Sequence, residues 1–290
     1  MSYTVKQITE ENVKEYEHIL KPENAENIGR KFYRALALHD EEETVKATVL
    51  WKIKGDGISA GPEAELLQFD GKEAQAAQAI LEAFGQAAME EGITRTFFEF
   101  PADKKEAEIL ALKEAGYLIR EAESRELLIT AGELAKLPVM GKLLINNRVK
   151  SIGSMSLQQF RKGITECLYY KKNGDLEDLS LLPLSWFEAD ISCATVQDGV
   201  VNGMLLLHKN SIGELCVKLM FGNSRTNKSD FIRMIQFSIL EITKKYHADT
   251  VIRVKCCDEE TKAFAGTLFR RKREIRYCME KDKLQMLKGD

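Results

Sequence analysis

Two turns in this 290-residue chain place a cation directly before a long amphipathic segment. The first turn is Asp70-Gly71-Lys72, and apolar residues at helical spacing follow it over 73–91. The second turn covers 222–225 and ends in Arg225, again with helical periodicity behind it. A helix start presents unpaired backbone N–H groups and a partial positive charge. Each turn therefore predicts a site for an anion, often a phosphate.

A strand is predicted on either side of the first helix. Residues 64–69 form a short strand-like run before the turn, and residues 93–100 are β-branched and aromatic. Gly92 separates the helix from the second strand, at a position where a residue that accepts a left-handed conformation ends a helix. The first half thus contains strand, turn, long helix and strand, in that order.

The same order of elements returns in the second half of the chain. It comprises a strand over 213–221, a helix that Ser229 or Asp230 is expected to cap, and a strand over 250–256. A repeat at a spacing of about one domain length indicates a duplicated fold. We expect two domains, residues 1–135 and 136–290, joined by a linker over about 130–147. Strands over 117–120 and 124–129 are predicted to form a hairpin that closes the first domain, and a strand over 274–279 to end the second.

Composition narrows the class of protein and of partner. Hydrophobic residues make up 44% of the chain and charged residues 30%, which fits a soluble globular protein. The formal net charge of −3 gives no reason to expect nucleic acid as a partner. No apolar run is long enough to span a bilayer, and the N-terminus lacks the pattern of a signal peptide. The cysteines lack the spacing of a zinc site and are expected to be reduced, so the sequence predicts a cytoplasmic protein.

The order of elements resembles that of the GNAT acyltransferase superfamily, in two tandem copies that cover nearly the whole chain. The resemblance rests on element order and spacing more than on motif identity. It implies an α/β fold in each half, with a mixed, mostly antiparallel sheet flanked by helices. It also implies acetyl-CoA, or another acyl-CoA, as the co-substrate, and no metal. In this family a Gln/Arg-x-x-Gly-x-Gly/Ala turn holds the pyrophosphate of the coenzyme through backbone amides.

In the first copy, residues 72–77 stand where this motif is expected. Lys72 is at the Gln/Arg position, Gln75 at the first glycine and Ala77 at the second small position. In the family, the strand before the turn pairs with the pantetheine arm of the coenzyme as an added strand would. The residues implied for that contact are Leu66, Leu67 and Gln68.

In the second copy, residues 225–230 stand at the motif. Arg225 agrees with it, whereas Lys228 and Asp230 replace both small residues. Asp230 is expected to repel a phosphate, which Arg225 and Lys228 would attract. The first copy is therefore expected to hold the coenzyme, and the second copy is the alternative. The implied pantetheine contacts of the second copy are Leu219, Met220 and Phe221.

Transfer of an acyl group to an amine needs a base that removes a proton from the ammonium form. The resemblance implies a glutamate on the strand before the pyrophosphate turn, which gives Glu63 and Glu65 in the first copy and Glu214 in the second. The family's usual acid is a tyrosine on the helix after the next strand, but the matching positions read Ala111-Leu112 and Leu268-Phe269. Solvent is then the expected proton donor for the leaving thiolate.

Two functions remain open from the sequence. The first is an acyl-CoA-dependent N-acetyltransferase that acts on a small amine, and the turn cations and strand glutamates favour it. The alternative is a non-catalytic GNAT-like protein that binds a ligand or a partner. The missing tyrosines and the side chains at the glycine positions of the motif favour this second function.

Overall fold

The computed structural model describes residues 2–54, 61–71, 73–101, 106–123, 126–144, 148–171, 179–255, 266 and 275–282. The chain forms two compact units, and each has its own sheet. Unit 1 comprises Met1–Ser124 together with Glu274–Asp290, and unit 2 comprises Arg125–Arg273. No helix in the described part of the chain combines the length and the apolar character needed to cross a bilayer.

The sheet of unit 1 has seven strands. They are β1 Thr4–Ile8, β2 Tyr33–His39, β3 Val45–Lys54, β4 Glu63–Gly71, β5 Arg95–Pro101, β6 Leu118–Glu123 and β13 Ile275–Asp282. Their order across the sheet is β1-β2-β3-β4-β5-β13-β6. Every neighbouring pair is antiparallel except β4 and β5, which are parallel.

The helices of unit 1 follow the apolar periodicity of the sequence. They are α1 Pro22–Ala25, α2 Ala74–Glu90 and α3 Glu106–Glu114, and a 3-10 turn covers Val13–Tyr16. The helix predicted over 73–91 is confirmed as α2, and Gly92 follows it with a φ of 69°. The buried face of α2 includes Phe84, whose ring lies edge-on to that of Trp51 on β3 with 5.1 Å between centroids. Burying aromatic side chains of this size contributes about 1.5–3 kcal/mol each.

The sheet of unit 2 has six strands. They are β7 Glu126–Thr130, β8 Val149–Ser151, β9 Cys193–Gln197, β10 Val200–Lys209, β11 Leu215–Gly222 and β12 Val251–Lys255. Their order is β7-β12-β11-β10-β9-β8. The pair β11–β12 is parallel and the other pairs are antiparallel. In each unit the two strands of the single parallel pair are joined through a long helix, over 74–90 in unit 1 and 228–245 in unit 2, which carries the chain back so that both strands run in the same direction.

The helices of unit 2 cover both faces of its sheet. They are α4 Ala131–Leu134, α5 Leu157–Lys171 and α6 Lys228–Lys245, with 3-10 turns at Pro138–Met140, Ile152–Ser154 and Leu184–Trp186. One apolar cluster joins α6 to Leu205 and Leu207 of β10, and another joins α5 to Leu206. The cap of α6 is Asn227, not Ser229 or Asp230 as predicted, because the Asn227 Oδ1 accepts the N–H of Asp230 at 2.8 Å.

The strands predicted as a closing hairpin over 117–129 do not pair with each other. β6 pairs with β13, and β7 pairs with β12 in the other sheet. β13, expected to end the second half, lies between β5 and β6 of unit 1. The two units therefore differ from the sequence-based division at residue 135. The segment 126–134 belongs to unit 2, and the C-terminal strand belongs to unit 1.

The segment expected as a linker, 130–147, is packed into unit 2 over its described part. Thr130 and Glu133 form a reciprocal capping box at the start of α4. Gln236 on α6 is fully buried and bonds the backbone at Val139, Lys142 and Leu144 with distances of 2.7–2.9 Å. A buried amide with three backbone partners fixes this stretch against α6, because each lost bond would leave a polar group unpaired.

Candidate functional site

β4 in unit 1 carries a bulge and then leaves its parallel neighbour. Leu50 of β3 pairs with Gln68 and Trp51 pairs with Leu66, so Leu67 is an extra residue on β4. The parallel pairing with β5 ends at Leu66. Residues 67–71 of β4 therefore have an edge that β5 does not occupy among the described residues.

β11 in unit 2 has the same irregularity at the same place. Leu206 of β10 pairs with Leu219 and Leu207 pairs with Val217, which makes Lys218 the extra residue. The parallel pairing with β12 ends at Val217. We call residues 67–71 of β4 and 218–222 of β11 the open edges of the two units. An extended ligand can add to such an edge as a further strand.

The open edge of unit 1 ends at Gly71, whose N–H is hydrogen-bonded and whose Cα is in close contact with a helix. The N–H of Gly71 donates to Oε1 of Glu108 at 3.0 Å, and this side chain on α3 is only 2% exposed. A methyl group on Gly71 would lie 2.6 Å from the Cβ of Ala77 on α2. A carboxylate and a helix thus occupy the space beside the last residue of β4.

Two residues separate Gly71 from α2, and the start of α2 carries little positive charge in its described part. Glu73, an acidic residue, is the N-cap. Gln75 is exposed, whereas Ala77 is fully buried against Gly71. This burial does not favour Ala77 as a coenzyme contact. Lys72, the predicted cation of this turn, lies outside the described residues.

The three residues predicted to pair with pantetheine in unit 1 all lie on β4, and they differ in burial and in hydrogen bonding. Leu66 is buried in the core, and Leu67 is half-buried at the bulge. The amide of Gln68 is buried, and it accepts the N–H of Lys21 at 3.0 Å and donates to the carbonyl oxygen of Ile19 at 2.9 Å. Gln68 thereby holds the segment before α1 against the sheet.

The open edge of unit 2 ends beside a longer and more basic connection. Five residues, 223–227, separate Gly222 from α6. Arg225 and Lys228 have exposed side chains at the start of this 18-residue helix. The connection is fixed in place, because Thr226 Oγ1 donates to the carbonyl oxygen of Asn202 at 2.6 Å and the N–H of Arg225 donates to Asn223 Oδ1 at 2.9 Å.

Asp230, expected to repel a phosphate, is directed into the protein. Its side chain is 4% exposed and lies 3.6 Å from the guanidinium of Arg148. The paired charge contributes little to the exposed side of the helix start, where Arg225 and Lys228 lie. The electrostatic reason for preferring the first copy is therefore removed.

The three glutamates predicted as bases all form ion pairs at the paired beginnings of their strands. Glu63 lies 3.4 Å from Arg95, and Glu65 lies 2.6 Å from Lys54. Glu214, at the position equivalent to Glu63 when the bulges are aligned, receives hydrogen bonds from Arg253.

Arg253 joins three strands of unit 2 through its carboxylate partners. It pairs with Glu126 on β7 and with Glu214 just before β11. Burial opposes the charge of Arg253, but the two carboxylates outweigh it and raise the pKa of the guanidinium. A carboxylate held in this way is a structural partner first, and these contacts do not favour Glu214 as a proton acceptor.

A ring cluster beside the bulge of unit 2 is absent from the sequence-based site. The Trp186 ring stacks on the His208 imidazole with 3.5 Å between centroids and 3° between planes. His208 Nδ1 lies 2.8 Å from the carbonyl oxygen of Trp186. The ammonium of Lys218, the bulge residue, lies 5.4 Å from the Trp186 ring centroid. Trp186 and His208 are 22 residues apart in the chain, and Lys218 is placed beside them by the bulge. Neither the tertiary contact nor the bulge can be read from the sequence.

The positions where the family has its tyrosine acid do not supply another acid in unit 1. Ala111 and Leu112 are buried on α3. Leu268 and Phe269 lie outside the described residues. Within the described ranges no group of three His, Cys, Asp or Glu side chains is arranged to hold a metal ion.

No protein-family model matches this sequence, and no curated protein does either. Solved structures do match it. A tandem GNAT protein from the clavulanic acid biosynthesis pathway, in a structure without acetyl-CoA, has a TM-score of 0.65 at 6% identity over 97% of this chain and 99% of that one. A GCN5-related N-acetyltransferase from Sphaerobacter thermophilus has a TM-score of 0.55 at 8% identity over 97% and 96%.

A third match is the glucosamine N-acetyltransferase region of a fungal multi-domain GH3 β-N-acetylglucosaminidase. Its TM-score is 0.62 at 9% identity, over 96% of this chain and 38% of that chain. Similarity at such low identity concerns the fold. The chain has a tandem GNAT fold, as the order of its elements predicted.

Proposed function

We propose that this chain is an acyl-CoA-dependent N-acetyltransferase acting on a small amine, and that unit 2 holds the coenzyme. The observation that carries the proposal is the open edge of β11, which leads to the exposed Arg225 and Lys228 at the start of α6. The unit assignment reverses the preference drawn from the sequence, because the contacts of Gly71 occupy the corresponding place in unit 1.

The chemistry of the coenzyme fits both parts of this surface. Its pyrophosphate is an anion, which suits a helix start with two nearby cations. Its pantetheine arm contains amides, which suit the open edge of a strand. From Gly222 back to Lys218 the strand spans roughly 13 Å, at about 3.3 Å per residue. An extended arm with its phosphates at α6 therefore ends near the bulge.

The reaction requires few groups from the protein. When bound, the coenzyme supplies an acyl group activated as a thioester. The chain has to orient that arm, give an amine access to the carbonyl carbon, and accept the proton that the ammonium loses. Water can protonate the thiolate that leaves, so no tyrosine is required.

The alternative drawn from the sequence, a non-catalytic GNAT-like protein, concerned the whole chain. We propose an absence of catalysis for unit 1 alone. Glu108 takes the last amide of the open edge, and α2 begins after two residues with an acidic cap. A ligand that paired with this edge would have to displace a buried carboxylate and leave it without its partner.

The first test of the proposal is whether acetyl-CoA binds and is used. A ligand that binds only the folded state at 100 times its Kd stabilises that state by about 2.7 kcal/mol. We expect a rise in the melting temperature with acetyl-CoA, and release of free thiol when a panel of small amines is added. Absence of any thermal shift at millimolar acetyl-CoA would contradict the proposal.

A further inference from the structure

We infer that Thr226 is a positioning residue of the coenzyme site in unit 2, and that it acts by fixing Arg225 against a second bulge, on β10. This inference rests on the proposed function, because it assigns a role within the same site. The observations that carry it are two hydrogen bonds to one backbone carbonyl oxygen, that of Asn202, from residues on either side of Arg225.

The bulge on β10 is formed by Asn202. Val201 and Gly203 pair with consecutive residues of β9, so Asn202 is an extra residue that the ladder leaves out. Gly203 also pairs with Gly222, the last residue of the open edge of unit 2. The carbonyl group of Asn202 therefore lies where the connection after Gly222 begins, and it is available to residues of that connection.

Two residues of the connection donate to this carbonyl oxygen. The N–H of Asn223 lies 2.9 Å from it, and Thr226 Oγ1 lies 2.6 Å from it. Between these two anchors, the N–H of Arg225 donates to Asn223 Oδ1 at 2.9 Å. The backbone of Arg225 is thus held on both sides, while its side chain is exposed. A cation held in this way is pre-organised for an anion, because binding does not have to order the connection.

The side chain of Asn202 is a separate indication that this position serves the ligand site. It is 4% exposed, and its Oδ1 is buried without a hydrogen-bond partner among the described residues. An unpaired buried acceptor lowers the stability of a fold. Departures from full hydrogen bonding of this kind are typical of functional sites. The stability of unit 2 alone therefore does not explain a polar residue at this bulge.

Unit 1 has the corresponding bulge but a different use of it. Ala47 of β3 pairs with Gly71, and the preceding Lys46 is an extra residue opposite β2. The ammonium of Lys46 pairs with Asp40, 3.0 Å away at the end of β2. Only residues 72 and 73 separate Gly71 from α2, too few to hold a cation between two anchors. The anchored connection is therefore a feature of unit 2.

The effect of Thr226 on binding is conformational. Without its hydroxyl bond the connection is anchored at Asn223 alone, so Arg225 samples more arrangements before the ligand binds. The apparent affinity falls with the fraction of chains in the competent arrangement. Thr226→Val removes the hydroxyl and keeps the branched shape of the side chain. The carbonyl oxygen of Asn202 keeps its bond from Asn223, so the substitution leaves it paired.

Calorimetric titration of acetyl-CoA into the full chain tests the inference. Thr226→Val should weaken binding by about three- to tenfold, the equivalent of one hydrogen bond. Thr226→Ser keeps the hydroxyl and should bind within about twofold of the wild type. Thr243→Val is the matched control, because it removes a threonine hydroxyl that donates to the Leu240 carbonyl oxygen at 2.9 Å toward the other end of α6. It should bind as the wild type does.

A double-mutant cycle identifies the residue through which Thr226 acts. In an Arg225→Ala background, Thr226→Val should change the affinity by less than about twofold, because the cation that it positions is gone. A general loosening of the chain would lower the affinity by the same factor in both backgrounds. A wild type that binds no acetyl-CoA contradicts the proposed function and, with it, this inference. If the wild type binds, equal binding by Thr226→Val, or additive effects of the two substitutions, overturns the role of Thr226 alone.

Discussion

The two units share a bulged strand with an open edge and differ in what lies at its end. In unit 1 the edge ends at Gly71, with Glu108 on its amide and Ala77 against its Cα. In unit 2 it ends at Gly222, followed by a five-residue connection that carries the exposed Arg225 and leads to the exposed Lys228 at the start of α6. The open edge is thus a feature of the fold that both units share. The two units differ in the connection that follows the edge and, in unit 1, in the contact that Glu108 of α3 makes with the edge, and we expect these differences to control ligand binding.

The largest expected effect is the loss of stability in unit 1 when its C-terminal strand, β13, is removed. Removing residues 274–290 deletes β13, which pairs with both β5 and β6 in unit 1. We expect unit 1 to lose its cooperative unfolding, because two strands lose a neighbour at once. Unit 2 should keep its protection, since β7 completes its sheet. Hydrogen exchange resolved by peptide checks this, and a chain ending at residue 282 is the control. Equal loss of protection in both units would contradict the strand assignment.

The equivalent glycines give a matched pair of substitutions. Gly71→Ala places a methyl group 2.6 Å from the Cβ and 2.9 Å from the Cα of Ala77, so the helix has to move. Overpacking of this kind costs about 1–3 kcal/mol. Gly222→Ala meets the Cβ and Cγ2 of Thr226 at 3.0 Å, a smaller overlap than the one at Gly71, and should cost less. Urea unfolding measures both, and an equal or larger cost for Gly222→Ala would show that unit 1 is not the tighter of the two.

Glu108 separates closure of unit 1 from coenzyme binding. Glu108→Ala leaves the buried N–H of Gly71 without this partner, at a cost of about 1–3 kcal/mol in the free energy of unfolding. Glu108→Gln keeps an acceptor oxygen and should cost less. Neither substitution should weaken acetyl-CoA binding in calorimetry, because the site is assigned to unit 2. A large loss of affinity with unchanged stability would place the coenzyme in unit 1.

The smallest effect is a pH dependence that differs between the units. Burial raises the pKa of the Cys193 thiol in unit 2 and of the Tyr117 phenol in unit 1, each to about 12. Both groups ionise more readily in the unfolded chain, so each stabilises the fold fully below its unfolded pKa and loses that contribution as the pH rises toward 12. The loss begins near pH 9 for Cys193 and near pH 10 for Tyr117.

Cys193→Ala isolates this contribution in urea titrations between pH 8 and 10.5. The wild type should lose stability earlier in that range than the variant does. Identical slopes in the two proteins would mean that the thiol is not buried as described.

Residue patterns in the sequence predicted most helices and strands, but they did not predict which strands pair with each other. Asp198-Gly199 has the residues of a tight hairpin turn, and both adopt positive φ values, 51° and 77°, between β9 and β10. The link between β6 and β7 has no such pair at Ser124-Arg125, and those strands join different sheets. Turn chemistry was therefore a usable signal against the predicted hairpin.

The candidate site was less accessible to sequence reasoning. The helix starts and their cations follow from periodicity and were predicted. The bulge at Lys218, the stack of Trp186 on His208 and the contact of Glu108 with Gly71 depend on tertiary pairing. No local propensity encodes them, because each joins residues that are distant in the chain.

The most direct test of whether unit 2 holds the coenzyme introduces the same negative charge at the same position of two helices. Gln75 and Ser229 are both exposed and both occupy the second residue of their helices, α2 and α6. A glutamate there is favoured by the helix dipole by about 0.3–1 kcal/mol, so neither variant should lose stability. It should nevertheless repel a pyrophosphate bound at that helix start.

Calorimetric titration of acetyl-CoA into Gln75→Glu, Ser229→Glu and the wild type gives the answer. We predict that Ser229→Glu weakens binding by tenfold or more, equivalent to about 1.4 kcal/mol, while Gln75→Glu binds as the wild type does. Loss of binding in Gln75→Glu with normal binding in Ser229→Glu would contradict the account and assign the coenzyme to unit 1.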